Sequence, residues 1–279
     1  MTTVTSLEQF SKTVSDFRKS HGKVLTNCFL MPDEIASLVS EGRISLKEDG
    51  GWLFLVVDNY DYRALYYYTE KDAPLDAVER FVHSLGEQSM IIDITLRGKT
   101  GDSETLERLV DAGLAERYKK YIRLFRPFTE DNVVEDVDFR EGYHAVTTGV
   151  DPKAVVALWK KELDEKSTPL PRECEIQSLI ENGDLICVVD DNGGLSAVMM
   201  NTISRKQQML WHLVVSENHR RKGLAVALYI KCLVRAQKAG ASISRSLIDV
   251  NNIPSLTLAE RLGFEPDGLI CEQLYMKGM

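Results

Sequence analysis

The chain is poor in the features that would make it secreted, metal-bound or membrane-bound. Cys28, Cys174, Cys187, Cys232 and Cys271 are odd in number and widely scattered, and no two are spaced C-x-x-C. That excludes a disulfide framework and a cysteine-based zinc site, and leaves buried thiols in a reducing cytoplasm. No uninterrupted apolar stretch approaches the ~20 residues of a membrane span. The opening "MTTVTSLEQFSKTVSDF" lacks a basic region followed by an apolar block, so no secretory signal is expected. The sequence is therefore read as cytoplasmic, with no membrane partner and no metal. Positive charge is also scarce: the formal net charge is -8. A broad nucleic-acid-binding surface needs an extended basic face, so a nucleic-acid partner is not expected.

What is present is enough for a sizeable core, with 44% apolar and 27% charged residues over 279 positions. That length holds one large domain or two of ordinary size. Residues 1–140 hold 18 Lys and Arg against 25 Asp and Glu, while residues 141–279 hold 16 against 17. Between Phe128 and Gly142 the run "FTEDNVVEDVDFREG" is acidic and poor in aliphatics, as in a linker. The expected domains are 1–128 and 143–279. The acidic balance is compatible with a cationic partner, although such surfaces also simply keep proteins soluble.

The two halves echo each other. "IASLVSEGRI" (35–44) matches "IQSLIENGDL" (176–185) at an offset of 141, and "GWLFLVVD" (51–58) matches "GDLICVVD" (183–190) at 132. "LVDAGL" (109–114) resembles "AERLGF" (259–264) at 150. Three matches in one order indicate a diverged tandem repeat; the alternative is two unrelated α/β domains. Periodicity and punctuation predict, in the second half, helices over 151–165 and 172–183 and a hairpin around "DDNGG" (190–194). A nearly continuous apolar strand, "QQMLWHLVVS", comes next, then a helix from about Gly223 to Lys238. The strand "SISRSLIDV", a short helix with Pro254 in its first turn, and a last strand including "EQLYMKG" complete the half. The first half predicts strands near 52–58, 62–69 and 90–96 and helices near 75–84 and 103–112.

The chemistry concentrates in "VVSENHRRKGLAVALYIKCLV" (214–234), where three successive cations stand at the mouth of a helix. A helix N-terminus already carries partial positive charge, so cations there call for a bound anion. Strand, short polar loop with glycine, then helix is a physical recipe for holding phosphate, because the first helical N–H groups point outward unpaired. Gly223 and Ala225 are small enough for a pyrophosphate to reach the backbone, and Arg220, Arg221 and Lys222 would neutralise it. The loop is not G-x-x-x-x-G-K-[ST], and it lacks two of the three glycines of G-x-G-x-x-G.

It does read R-x-x-G-x-A, as Arg220-Arg221-Lys222-Gly223-Leu224-Ala225, and this resembles the acetyl-CoA-binding motif of the GCN5-related N-acetyltransferase (GNAT) superfamily. "LWHLVVSENHRRKGLAVAL" resembles that family's fourth strand, pyrophosphate loop and following helix. "IDVNNIPSLTLAERLGFEPDG" resembles its fifth strand, Asn-containing turn, short helix and "GF". The resemblance spans roughly 180–270, more loosely 143–279, and touches the first half in outline only. It implies an α/β fold of two GNAT-like repeats, each a mixed, mostly antiparallel twisted sheet flanked by helices. In the second repeat, parallel strands four and five would splay around CoA. By resemblance, Leu213, Val214 and Val215 would present backbone to the cofactor arm, with one N–H acting as oxyanion-type donor. Backbone around Arg221 to Ala225 would hold the pyrophosphate, and Asn252 with Ser255 would touch the arm; Asn252 equally suits a turn or cap.

The implied reaction is acyl transfer, with acetyl-CoA as co-substrate, to a small-molecule or peptide amine. It needs a base and, usually, an acid for the departing thiolate. Family members often use a Tyr in a pattern like "LYEKLGF", whereas this chain has "LAERLGF" with Ala259 there. Tyr275 or Tyr229 is the substitute, or the thiolate leaves unassisted. His212 is the candidate base, while Glu217 flanks the loop and His219 touches phosphate or faces solvent. The loop Gly98–Ser103 lies near where a first-repeat cofactor loop would fall, with Ser103 or Thr100 as helix N-cap. The first repeat is expected not to bind CoA. A non-catalytic acyl-CoA-binding module is the alternative function, and the assembly is expected to be a monomer or homodimer.

Overall fold

A computed structural model describes residues 1–278 except 87, 98, 99 and 102. The chain divides into two compact units, Met1–Tyr121 with Gly268–Met279, and Ile122–Asp267.

The first unit runs β1 (Thr2–Thr3), α1 (Leu7–His21), β2 (Val24–Thr26), α2 (Pro32–Ser40), β3 (Ile44–Asp49), β4 (Trp52–Asp58) and β5 (Arg63–Glu70). It continues with α3 (Asp76–His83), β6 (Ser89–Arg97), β7 (Thr100–Gly101), α4 (Ser103–Asp111) and the start of β8 (Glu116–Pro127). The sheet order is β1-β3-β4-β5-β6, with β2 beside β5 and β7 beside β6. β4 is buried on both faces over "WLFLVV", which is why it reads as a continuous apolar run rather than an alternating one. Trp52, Phe54 and Tyr67 pack with Phe81 of α3 on one face, and Leu53, Leu55 and Tyr68 with Phe10 and Phe17 of α1 on the other.

The second unit begins with the later residues of β8 and continues with β9 (Tyr143–Val146), α5 (Pro152–Glu162), α6 (Glu173–Glu181) and β10 (Leu185–Asp190). β11 (Leu195–Ser204), β12 (Gln207–Val215), α7 (Leu224–Lys238), β13 (Ile243–Asp249), α8 (Ile253–Arg261) and β14 (Glu265–Lys277) complete the chain. The order is β8-β13-β12-β11-β10-β9. Arg205 and Lys206, both at positive φ (49° and 62°), make the tight β11–β12 turn. Helix α7 buries Leu224, Leu228, Cys232 and Ala236, a stripe at helical spacing, and packs with Leu210 and Ile248 on one face of the sheet. On the other face, Trp159 of α5 and Ile176 and Ile180 of α6 pack with Val198 and Val214.

The two-repeat reading agrees with the element order, since helix, hairpin, strand, helix, strand, helix occurs in each unit. One match is displaced by an element. The offset of 132 sets β4 against β10, yet β10 opens its hairpin as β3 does; β3 and β10 follow the same offset of 141 as α2 and α6. The unit boundary also differs from the expected one. It falls inside β8, and residues 268–279 belong to the first unit, where β14 pairs antiparallel with β6 from Leu269↔Arg97 to Lys277↔Ser89. The acidic stretch 128–142 is part of the second unit. Phe128, Val134 and Phe139 pack on the α7 cluster, and Lys231 meets Asp136 at 2.8 Å. Its few apolar residues are spaced to reach one helix, a pattern that composition alone does not reveal.

Candidate functional site

The site is built where β12 and β13 separate. They pair in parallel from Gln207↔Ile243 only as far as Leu210↔Ser246. The paired segment is locked by a buried polar network: Ser244 Oγ donates to Gln208 Oε1 at 2.8 Å, and Gln208 Nε2 donates to the Cys232 carbonyl of α7 at 2.7 Å. Beyond Leu210, β12 veers because it carries an extra residue opposite β11, whose register shifts between Val198 and Met200. His212 supplies the kink with φ 48°, a left-handed conformation that a β-bulge accommodates. Past the bulge, Ser216 N–H bonds to Ser196 on β11. Strand alternation then turns Val214 towards β11 and aims the N–H groups of Leu213 and Val215 at the parted edge. Of the three expected backbone donors, Leu213 and Val215 are therefore placed for that role and Val214 is not.

At the end of β12 the chain forms a short 3-10 turn, Glu217–His219, and enters α7 through Arg221 (φ 60°) and Gly223 (φ 80°). Among the described residues, the backbone N–H groups of Arg221, Lys222, Gly223, Leu224, Ala225 and Val226 make no backbone hydrogen bond; the first pairing is Ala227 N–H to the Gly223 carbonyl. This run of donors at the N-terminus of a 15-residue helix is an anion cradle. A Cβ built on Gly223 would meet nothing within 4 Å, so the glycine is required by its left-handed φ and leaves open space on the ligand side.

The three cations do not share one role. Arg220 is committed to the protein: Nε donates to the Val215 carbonyl at 3.2 Å, and Nη2 pairs with Glu162 on α5. Lys222 donates to the Tyr143 hydroxyl at 2.8 Å, and that hydroxyl lies 3.0 Å from His219 Nδ1. Arg220 thus fastens the loop to the strand end, and Lys222 ties it to β9. Arg221, whose own φ is left-handed, is the one of the three whose side chain makes neither an ion pair nor a hydrogen bond among the described residues. Sequence spacing reveals neither Glu162 nor Tyr143, because both arrive from distant elements.

His212 is wedged rather than displayed. Its Nε2 donates to the Pro169 carbonyl at 3.0 Å and its ring stands edge-on to Trp159 at 5.8 Å. Trp159 Nε1 in turn donates to the His212 carbonyl at 3.0 Å. Burial pushes the imidazole pKa down to about 4, so the ring is neutral and Nδ1 holds its lone pair. Asn252 caps α8, its Oδ1 accepting from Ser255 N at 3.2 Å. The cap reading therefore holds, and it leaves the Asn252 amide nitrogen outside that bond. Tyr275 lies in the first unit, opposite Ile91 on β6 and beside Tyr118. Tyr229 is buried against Phe264, with its hydroxyl 3.5 Å from Ser246 Oγ, and burial raises its pKa. Ala259 is fully buried in that cluster.

Gly98 falls outside the described residues. Helix α4 starts at Ser103, which makes Ser103 its first helical residue and not its cap; Thr100 lies in β7. Among the described residues no helix is long and apolar enough to cross a membrane.

A parallel strand pair that parts beside a helix N-terminus with unpaired N–H groups is an α/β arrangement able to take an extended, anion-bearing ligand. Residues 153–264 match the acetyltransferase (GNAT) family, a family of acyl transfer from acyl-CoA. No curated protein matches the chain. Its fold is similar to that of a GCN5-related N-acetyltransferase from Sphaerobacter thermophilus, with TM-score 0.58 and 13% identity, covering 96% of this chain and 91% of that one. It is also similar to a tandem GNAT protein of the clavulanic acid biosynthesis pathway, with TM-score 0.57, 15% identity and 85% and 84% covered. A GCN5-related N-acetyltransferase from Kribbella flavida gives TM-score 0.55 at 15% identity, with 90% and 98% covered. At these identities the likeness to solved structures speaks for the fold.

Proposed function

We propose that the second unit is an acyl-CoA-dependent N-acyltransferase that moves an acetyl group from acetyl-CoA to a primary amine by direct attack, with both substrates bound together. The observation that carries this reading is the continuity of unpaired backbone donors, from Leu213 and Val215 on the parted edge of β12 to the six N–H groups at the start of α7. The cradle would hold the pyrophosphate, and the strand edge would pair with the pantetheine arm. One strand N–H would then lie where negative charge develops on the thioester oxygen. The amine nitrogen bonds to the acetyl carbon, the carbon–sulfur bond breaks, and the thiolate leaves without a protein acid, since thiols are already fairly acidic. His212, neutral at working pH, accepts the amine's proton through Nδ1 and passes it to water. The acceptor is a small-molecule or peptide amine, and the acidic first half mildly favours a cationic one.

A second reading, a non-catalytic acyl-CoA-binding module, is favoured by Ala259, which occupies the family's usual acid position and is fully buried. Thiol release from acetyl-CoA, measured across a panel of primary amines, decides between them. Amine-dependent release is expected. Saturable CoA binding with no release on any amine would establish the binding module instead.

A further inference from the structure

The first unit repeats the parting of strands and fills the gap with its own chain. β5 and β6 are parallel and pair at a single position, Ala64↔Ile91. β4 occupies one edge of β5 from Arg63 to Thr69. The other edge is taken by β2, which runs antiparallel through Val24↔Glu70, Leu25↔Thr69 and Thr26↔Tyr68. Between the Ala64 pair and this short strand stands Asn27, 3% exposed. Its Nδ2 donates to the Leu65 carbonyl at 3.2 Å and to the Asp93 carbonyl of β6 at 3.0 Å, and its Oδ1 accepts from Tyr67 N at 2.7 Å. Thr26 Oγ1 donates to the Tyr67 carbonyl at 2.6 Å.

The edges correspond. Tyr67 on β5 and Leu213 on β12 each lie shortly beyond the last parallel pair and turn the N–H to the parted edge, Leu213 after a bulge that β5 lacks. The edge that the second unit leaves open is the one that Asn27 closes in the first. The phosphate end is closed as well. The turn before α3 contains Asp72 and Pro74, which has no N–H to offer, and the first turn of α3 carries Asp76 and Glu79 where α7 is preceded by cations.

We propose that residues 23–28 are a built-in stand-in for the cofactor arm, so that the first unit is a self-liganded copy and the protein binds one acyl-CoA per chain. The comparison with the second unit rests on the acyl-CoA reading given above; the internal strand itself does not. Amide hydrogen exchange on the intact protein tests both in one sample. Without CoA, Tyr67 N–H is expected to exchange more than about tenfold slower than Leu213 N–H, as one buried hydrogen bond implies. Saturating CoA slows Leu213 and leaves Tyr67 unchanged, and calorimetric titration gives a stoichiometry of one. Equal exchange at the two amides, slowing of Tyr67 by CoA, or a stoichiometry of two would overturn the proposal. If CoA affects neither amide but Tyr67 is still the slower, the acyl-CoA reading of the second unit fails and the internal strand stands.

Discussion

Lys222 donates to the Tyr143 hydroxyl at 2.8 Å, with its ammonium 5.4 Å from the centre of the same ring. The last cation of the loop before α7 is thereby anchored to β9, the edge strand of the second unit. Removing the hydroxyl leaves the loop's fold but loosens its aim. Tyr143→Phe is expected to weaken CoA binding about fivefold, the value of a hydrogen bond worth ~1 kcal/mol. Titration of the variant with CoA at fixed ionic strength checks this; unchanged affinity would mean that Tyr143 does not position the loop.

The burial of His212 links stability to pH. Its folded pKa, about 4, lies below the ordinary histidine value, so between pH 6.5 and 4 the unfolded chain binds the extra proton. Its contribution is fully present above pH 6.5 and is lost as pH falls through that window, by ~3 kcal/mol at most. Thermal melts from pH 7.5 to 4.5 should show Tm falling more steeply for the native protein than for His212→Gln. Parallel curves would show that His212 is not the group responsible.

Gln208 holds β12, β13 and α7 together below the point of parting. Gln208→Leu leaves Ser244 Oγ and the Cys232 carbonyl without their buried partner, at a cost of ~2–3 kcal/mol. Urea unfolding checks the size of the effect, and a loss below ~0.5 kcal/mol would contradict this account of what pins the strands.

Ala259 is fully buried with Tyr229 and Phe264. Ala259→Tyr is expected to overpack the Tyr229–Phe264 cluster and destabilise the protein by ~1–3 kcal/mol, without raising turnover. A variant with native stability and higher kcat would show instead that the position opens onto the substrate.

Much of this was legible in the residues. "RRKGLA" after an apolar strand located the loop that opens α7, and the helical stripes placed α3 to α8 within a few residues, because local periodicity and glycine punctuation dominate there. Sequence could not place Glu162 or Tyr143, which meet the loop only through the tertiary fold. Nor could it reveal Asn27, whose three hydrogen bonds all go to backbone and leave no side-chain pattern. The last strand, with Tyr275, falls where the sequence predicts it, but that it pairs with β6 depends on long-range contacts that no local pattern records.

The central claim is that CoA is held by the backbone at the start of α7, and its most direct test is CoA-induced stabilisation of the native protein beside Gly223→Glu. At a hundredfold excess over its Kd, CoA should stabilise the native protein by ~2.7 kcal/mol. The variant, with a side chain in the space that Gly223 leaves open, should fold and show no shift. A shift of equal size in both proteins would contradict the account.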